Sequence, residues 1–237
     1  MQYPSIVTGT FRSRPNRFIA LVDIDGVEQV CHVKNTGRCR ELLLPGSKVI
    51  LAQASNPARK TKYDLIAVYK GDLLINMDSQ APNAAVGEWL QIGGLFALPQ
   101  NQNGQLGSYL RTLRPETKYC NSRFDFYLES DTCRMFLEVK GVTLEEDGVL
   151  LFPDAPTERG VKHLRELIAV TREGYRAGVL FVLQMEQARL FMPNHQMHPE
   201  FAQALKEAAD AGVLVLAMNC HVTPDSMTLW HPVPVQL

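Results

Sequence analysis

The chain has 237 residues, 46% of them hydrophobic and 21% charged, with a formal net charge of −1. That balance excludes a disordered chain and gives no whole-molecule basic excess of the kind that advertises a polyanion partner. The charge is unevenly divided, however: residues 1–80 carry 11 Lys and Arg against 7 Asp and Glu, and residues 81–237 carry 13 against 18, so the two stretches stand at +4 and −5 and two units are expected.

No apolar stretch reaches the roughly 18–20 residues a membrane helix needs, and "MQYPSIVTGT" lacks the charged and apolar regions of a secretory signal. The five cysteines, Cys31, Cys39, Cys120, Cys133 and Cys220, are odd in number and form no C-x-x-C pair. A disulfide framework or zinc site is therefore not expected, and reduced thiols in a soluble, cytoplasmic protein are.

Residues 1–80 read as an all-β unit. Short β-rich runs, "SIVTGTF", "FIALVDI", "EQVCHVK", "SKVILAQA", "YDLIAVY" and "LLINM", alternate with turn residues such as Asp25-Gly26 and Gly71-Asp72. The segment 35–46 looks like one or two helical turns between the third and fourth strands. This pattern predicts a small Greek-key barrel of the OB type, whose binding loops join strands 1–2 and 4–5. Two basic clusters fall at those places, "RSRPNR" (12–17) and "NPARKTK" (56–62). Arg12, Arg14, Arg17, Arg59, Lys60 and Lys62 are accordingly candidates for a phosphate-facing rim.

Residues 81–237 read as an α/β unit. Apolar spacing predicts a helix near 83–93, followed by a Gln/Asn/Gly-rich loop, and residues 117–144 predict a β-meander. A helix over 157–173, capped by Thr157 or Asp154, then the strand "RAGVLFVLQ", a helix near 198–211 and the strand "VLVLAMN" complete a mixed-sheet arrangement.

The meander carries the chemistry. In "RFDFYL" (123–128) and "MFLEVK" (135–140), a tight turn at Asp131-Thr132 sets Glu129 against Arg134, Tyr127 against Phe136 and Asp125 against Glu138, although a longer loop with a bulge is an alternative. Lys140 shares the face of Glu138, since strand side chains alternate. Opposed carboxylates repel, and two hard oxygen donors beside a lysine describe a Mg²⁺ or Mn²⁺ site for phosphodiester hydrolysis. The alternative is a solvated, charged sheet face. On the helix that follows, Val161, Leu164, Ile168 and Thr171 form the expected packing face, and Arg159, Lys162 and His163 the polar one, within reach of a phosphate. Glu88 and Glu116 are possible additional acidic groups.

Taken together, "CHVKNTGRCRELLLPGSKV", "NPARKTKYDL", "ETKYCNSRFDF", "FLEVKGVTL", "FPDAPTERGVKHLREL" and "HPVPV" resemble the sugar fermentation stimulation (SfsA) family over nearly the whole chain. The resemblance implies an N-terminal OB-fold and a C-terminal PD-(D/E)xK nuclease-like domain. It also implies DNA binding without strong sequence preference and a link to sugar metabolism genes. Asp125, Glu138 and Lys140 then occupy the nuclease-type positions. The expectation is a DNA-binding protein with a metal-dependent nuclease site, and the alternative a non-catalytic transcriptional regulator.

Overall fold

The computed structural model describes every residue except Thr36, Pro57 and Asn121, so one position each of the NTGR, NPARKTK and ETKYCNSRFDF stretches lies outside the described residues. Six strands open the chain: β1 (Ile6–Asn16), β2 (Ile19–Ile24), β3 (Val27–Val33), β4 (Lys48–Gln53), β5 (Tyr63–Lys70) and β6 (Leu73–Asn76). They pair in the order β3-β2-β1-β4-β5-β6, and a parallel pairing of β3 with β5 closes five of them into a barrel. Strand alternation directs Phe11, Val22, Cys31, Leu51 and Leu65 inward, where each is essentially inaccessible to water. Fully burying a side chain of this size contributes about 1.5–3 kcal/mol.

One expectation changes and one holds. Residues 12–16 of the first basic cluster are the end of β1 rather than a loop, with register irregularities at Phe11/Ser13 and Ser13/Asn16, and only Arg17 falls in the turn. Such bulges accommodate Pro15 and twist the strand. Between β3 and β4 a single helical turn forms, closed by Leu43 N–H to the Cys39 carbonyl (3.0 Å).

The second unit begins with α1 (Ala81–Gln91). Asp78 prepares its start: Oδ1 accepts the Gln80 N–H (2.9 Å), and Pro82, which has no N–H to satisfy, occupies the first turn. The meander follows as β7 (Leu110–Tyr119), β8 (Ser122–Ser130) and β9 (Arg134–Val142), then β10 (Leu144–Glu146) and β11 (Val149–Phe152). Next come α2 (Glu158–Arg172), β12 (Arg176–Leu183), β13 (Leu190–Pro193), α3 (Pro199–Asp210), β14 (Leu214–Thr223) and β15 (Ser226–Pro232). The main sheet runs β15-β14-β12-β9-β8-β7, with β9, β12 and β14 parallel and the outer pairings antiparallel. A small sheet β10-β11-β13 stands apart.

Helices cover both faces. Val161, Leu164 and Leu167 of α2 and Phe201 and Leu205 of α3 pack on one side, in a core continuous with the barrel interior. Val86 and Leu90 of α1 pack with Leu137, Val139 and Leu180 on the other. β12 is consequently buried along nearly its whole length, as parallel strands covered on both faces are. Thr157 caps α2 by accepting the Gly160 N–H (3.1 Å). No helix is long and apolar enough to cross a membrane, among the described residues.

Candidate functional site

β8 and β9 pair in the expected register: Phe126 opposes Leu137, Tyr127 opposes Phe136 and Glu129 opposes Arg134, and Ser130 N–H meets the Cys133 carbonyl (2.9 Å) across the tight turn. The expected Glu129–Arg134 ion pair does not form. Glu129 accepts from the Tyr127 hydroxyl, and the Arg134 guanidinium lies over the Tyr175 ring, 4.6 Å from its centroid.

Beyond Phe126 the ladder ends, and a side chain takes its place: Asp125 Oδ2 accepts the Val139 N–H (2.7 Å). Asp125 Oδ1 accepts from Asn83 Nδ2 on α1 (2.8 Å). Glu138 turns toward α2, where its Oε1 accepts from Lys140 Nζ (2.5 Å) and from His163 Nδ1. The two carboxylates therefore do not meet squarely; each is held by a different helix. They still sense one another. Burial, reinforced by the negative charge of Glu138, pushes the Asp125 carboxyl up against the opposing pull of Val139, Asn83 and Lys140. Burial would push Glu138 up too, but the His163 hydrogen bond and the Lys140 charge outweigh it and hold Glu138 below its ordinary value. Arg123, two residues before Asp125 on β8, is exposed and paired with Glu116 (2.9 Å).

His163 departs from the polar face assigned to it. It is buried, as are Leu167 and Val170, so the packed face of α2 is broader than Val161, Leu164, Ile168 and Thr171. Arg159 Nε donates to His163 Nε2 (3.3 Å), which places the imidazole proton on Nδ1, facing Glu138. Lys162 remains outward, near Glu166 (3.7 Å). Gly141, directly after Lys140, has no room for a side chain: a Cβ there lies 2.5 Å from Gln184 Oε1 and 2.9 Å from Pro82 Cγ, so glycine lets α1 close on the end of β9.

A cavity of about 440 Å³ opens beside Asp125, lined by Asn83, Glu88, Glu116 and Phe126 among others. It brings both additional acidic candidates to the mouth of the site, although Glu88 also pairs with the Met1 amino group (2.5 Å) and Glu116 with Arg123. Asn83 is the residue that the sequence reading missed. An Asn two positions into a helix carries no motif of its own.

Family models place the chain. The SfsA N-terminal OB domain matches residues 13–77, and the sugar fermentation stimulation protein RE domain matches residues 80–226. The chain belongs to the sugar fermentation stimulation protein family. A homolog from Desulfitobacterium hafniense is 54% identical over 237 residues, covering 100% of this chain and 99% of that protein. One from Clostridium beijerinckii is 52% identical over 229 residues, covering 97% and 96%. The Pyrococcus furiosus SfsA structure, solved in complex with Ca²⁺, superposes with a TM-score of 0.83 at 27% identity, covering 100% of this chain and 98% of that one. An OB barrel followed by an α/β domain built on a mixed sheet, the SfsA architecture, is thus the fold of this chain.

Whether the cleft suits a divalent cation turns on one atom. Glu138 Oε2 is buried and has no hydrogen-bond partner among the described residues. A buried carboxylate oxygen left unsatisfied costs about 1–3 kcal/mol or more. A hard cation satisfies it, and the partly filled Asp125 carboxylate adds a second oxygen donor, so the residues fit. Elsewhere, ligand atoms of Glu158, His198 and Glu200 lie within 4.8 Å of one another. There His198 Nδ1 accepts the Thr157 N–H (3.2 Å), so the proton sits on Nε2, the nitrogen that faces Glu158. Its outward lone pair is thereby capped by hydrogen. Glu200 is paired with Arg165 (2.8 Å).

The basic candidates of the barrel fare unequally. Arg12 pairs with Asp23 (2.8 Å), and Arg59 forms a two-pronged pair with Asp64 (2.7 and 3.0 Å). Arg14 donates to four backbone carbonyls, a role in holding the chain rather than facing a ligand. Arg17 lies over the Phe18 ring and Lys62 over Tyr63, while Lys60 is exposed.

Proposed function

We propose that this chain binds DNA without strong sequence preference and hydrolyses its phosphodiester bonds at the Asp125–Glu138–Lys140 cleft with Mg²⁺ or Mn²⁺. The observation that carries this reading is Glu138: a carboxylate kept ionised in a dry setting, with one oxygen tied to Lys140 and His163 and the other without a hydrogen-bond partner among the described residues. A merely structural carboxylate at that depth would have both oxygens satisfied. The Ca²⁺ in the Pyrococcus furiosus relative supports a divalent ion in this family. The five free cysteines fit a reducing, cytoplasmic setting.

Glu138 and Asp125 would hold the ion, which supplies positive charge for the pentavalent phosphate and acidifies the attacking water. Lys140 keeps an ammonium at the same point, positioned to orient water and to offset charge on the phosphate. His163 fixes Glu138 from behind, and Asn83 and the Val139 N–H fix Asp125. On this reading the cavity of about 440 Å³ beside Asp125 is where the substrate strand approaches.

Single- and double-stranded DNA incubated with Mg²⁺, Mn²⁺ or EDTA test the reading. Cation-dependent cleavage by the native chain, reduced about 10²-fold or more in both Asp125→Ala and Lys140→Ala, is expected. Equal cleavage in all three proteins refutes the assignment. Binding with no cleavage under any condition makes the chain a DNA-binding regulator instead.

A further inference from the structure

The tip of the β1–β2 hairpin and the turn after β3 enclose a hollow of about 300 Å³ lined by Arg14, Arg17, Gly37, Arg38, Arg40 and Leu43 among others. We propose that Arg17, Arg38 and Arg40 form the anchor for a backbone phosphate of the nucleic acid, an inference that rests on the DNA-binding reading above and moves its contact point away from Arg12 and Arg59. Arg38 and Arg40 lie outside the basic clusters that the sequence pattern marks.

Charge compensation distinguishes this hollow from the rest of the barrel. The guanidinium groups of Arg12 and Arg59 are neutralised by Asp23 and Asp64, whereas Arg14, Arg17, Arg38 and Arg40 form no ion pair among the described residues. Glu41, Glu146 and Asp154 line a neighbouring cavity that Arg38 also borders, and Asp154 Oδ2 comes within 2.9 Å of where a Cβ on Gly37 would stand, yet none of these carboxylates pairs with the four guanidinium groups among the described residues. Four like charges gathered at one place repel unless an anion joins them, and a guanidinium matches phosphate with two parallel hydrogen bonds. At about 300 Å³ the hollow suits one nucleotide unit rather than a duplex groove.

Arg14 makes the arrangement rigid. Its guanidinium donates to the carbonyls of Arg17 (2.7 Å), Asn35 (2.7 Å), Gly37 (2.9 Å) and Arg38 (2.7 Å), which ties the hairpin tip to the turn. These bonds fix backbone positions and leave the charge of Arg14 in place. The turn is joined in turn to the cleft: Asn35 Nδ2 donates to the Met77 carbonyl (2.8 Å), Lys34 pairs with Asp78 (2.7 Å), and Asp78 caps the start of α1, which presents Asn83 to Asp125. The backbone that carries Arg38 is thus tied, through these contacts and the chain between them, to the helix that presents Asn83.

Fluorescence anisotropy with a labelled oligonucleotide in EDTA, where no cleavage can occur, tests the anchor. Arg38→Gln/Arg40→Gln is expected to weaken binding roughly tenfold or more and to lower the slope of log affinity against log salt by about 1.4–1.8, one released counterion for each lost contact. Arg12→Gln should bind within about twofold of the native chain, and all three proteins should melt together. Unchanged affinity and slope in the double variant, with the native chain binding, overturns the anchor and leaves DNA binding standing. No binding by the native chain overturns both. Displacement of the probe by mononucleotide at equal phosphate concentration makes the ligand a free nucleotide and overturns the backbone assignment.

Discussion

Two of the places in the second unit that set a histidine against a carboxylate flank α2, and they behave differently. At the cleft, His163 donates from Nδ1 to a Glu138 that is buried, held ionised and missing one hydrogen-bond partner. Between α2 and α3, His198 accepts from the Thr157 backbone and faces Glu158 and Glu200, both exposed, with Glu200 already paired to Arg165. Residue types and proximity are comparable. Desolvation is not: water satisfies the second cluster, and only a ligand completes the first. The count of metal-ligating groups within reach favours the second place, while the energetic demand favours the first.

The largest effect that separates them is at Glu138. Glu138→Gln keeps the shape and removes the charge, so cation-dependent cleavage should fall by about 10²–10³-fold. The rise in melting temperature that Mn²⁺ gives the native chain should vanish as well. A Mn²⁺-induced rise that survives intact in Glu138→Gln would show that the ion sits elsewhere.

His163 comes next. A group that orients a ligand without touching the ion typically changes metal affinity or activity by about 10–100-fold. His163→Ala should weaken Mn²⁺ binding by that factor in calorimetry, and His163→Asn, whose amide can donate from near the position of Nδ1, should recover part of it. Equal affinities in the native chain and both variants would reduce His163 to a packing residue.

How much of this was legible beforehand depends on the range of the interaction. The barrel, the β8–β9 register and the three helices follow from local periodicity and turn chemistry, and the Thr157 cap is one of the two, with Asp154, that the stretch before α2 offers. The placement of Asp125 was half legible. The register aims it at Glu138, whose charge it senses, but the pairing ends at Phe126, and its oxygens are taken up by the Val139 N–H and by Asn83, 42 residues away on another element. Arg14 illustrates the opposite failure. Its composition marks it as surface charge, and only the fold brings four carbonyls to its guanidinium. Arg38 and Arg40 were passed over because they sit one residue apart in a turn, with no basic run around them. The burial of His163 was hidden because its helix neighbours Lys162 and Arg165 face water.

Asp125 provides a smaller and sign-sensitive test. Its native carboxyl is pushed up, so the folded chain holds that proton more tightly than the unfolded chain does. The stabilisation this gives is complete below the ordinary value of 3.8 and is lost as pH rises through the elevated native value. At neutral pH without divalent cation, Asp125→Asn should therefore stabilise the fold by about 0.2–1 kcal/mol, the scale of a relieved like-charge cross-strand pair. The gain should shrink in acid and disappear when Mn²⁺ binds the native carboxylate. Destabilisation by Asp125→Asn at neutral pH in EDTA, seen in urea unfolding, would mean that the hydrogen bonds of Asp125 outweigh its repulsion with Glu138.

The smallest expected change sharpens the comparison most. Glu200→Ala removes one ligand-type oxygen from the α2–α3 cluster together with an exposed ion pair to Arg165. Exposed pairs of this kind are worth about 0–1 kcal/mol, and water takes over the contacts on both sides. The Mn²⁺-induced shift in melting temperature should then equal that of the native chain, because His198 offers a proton rather than a lone pair toward the cluster. Should the shift instead drop by half or more, the His198 tautomer assigned from the Thr157 contact is wrong, and a cation outside the cleft contributes to stability. The Glu138→Gln variant then reports how much of the native shift belongs to the cleft, since the two places share no ligand residue.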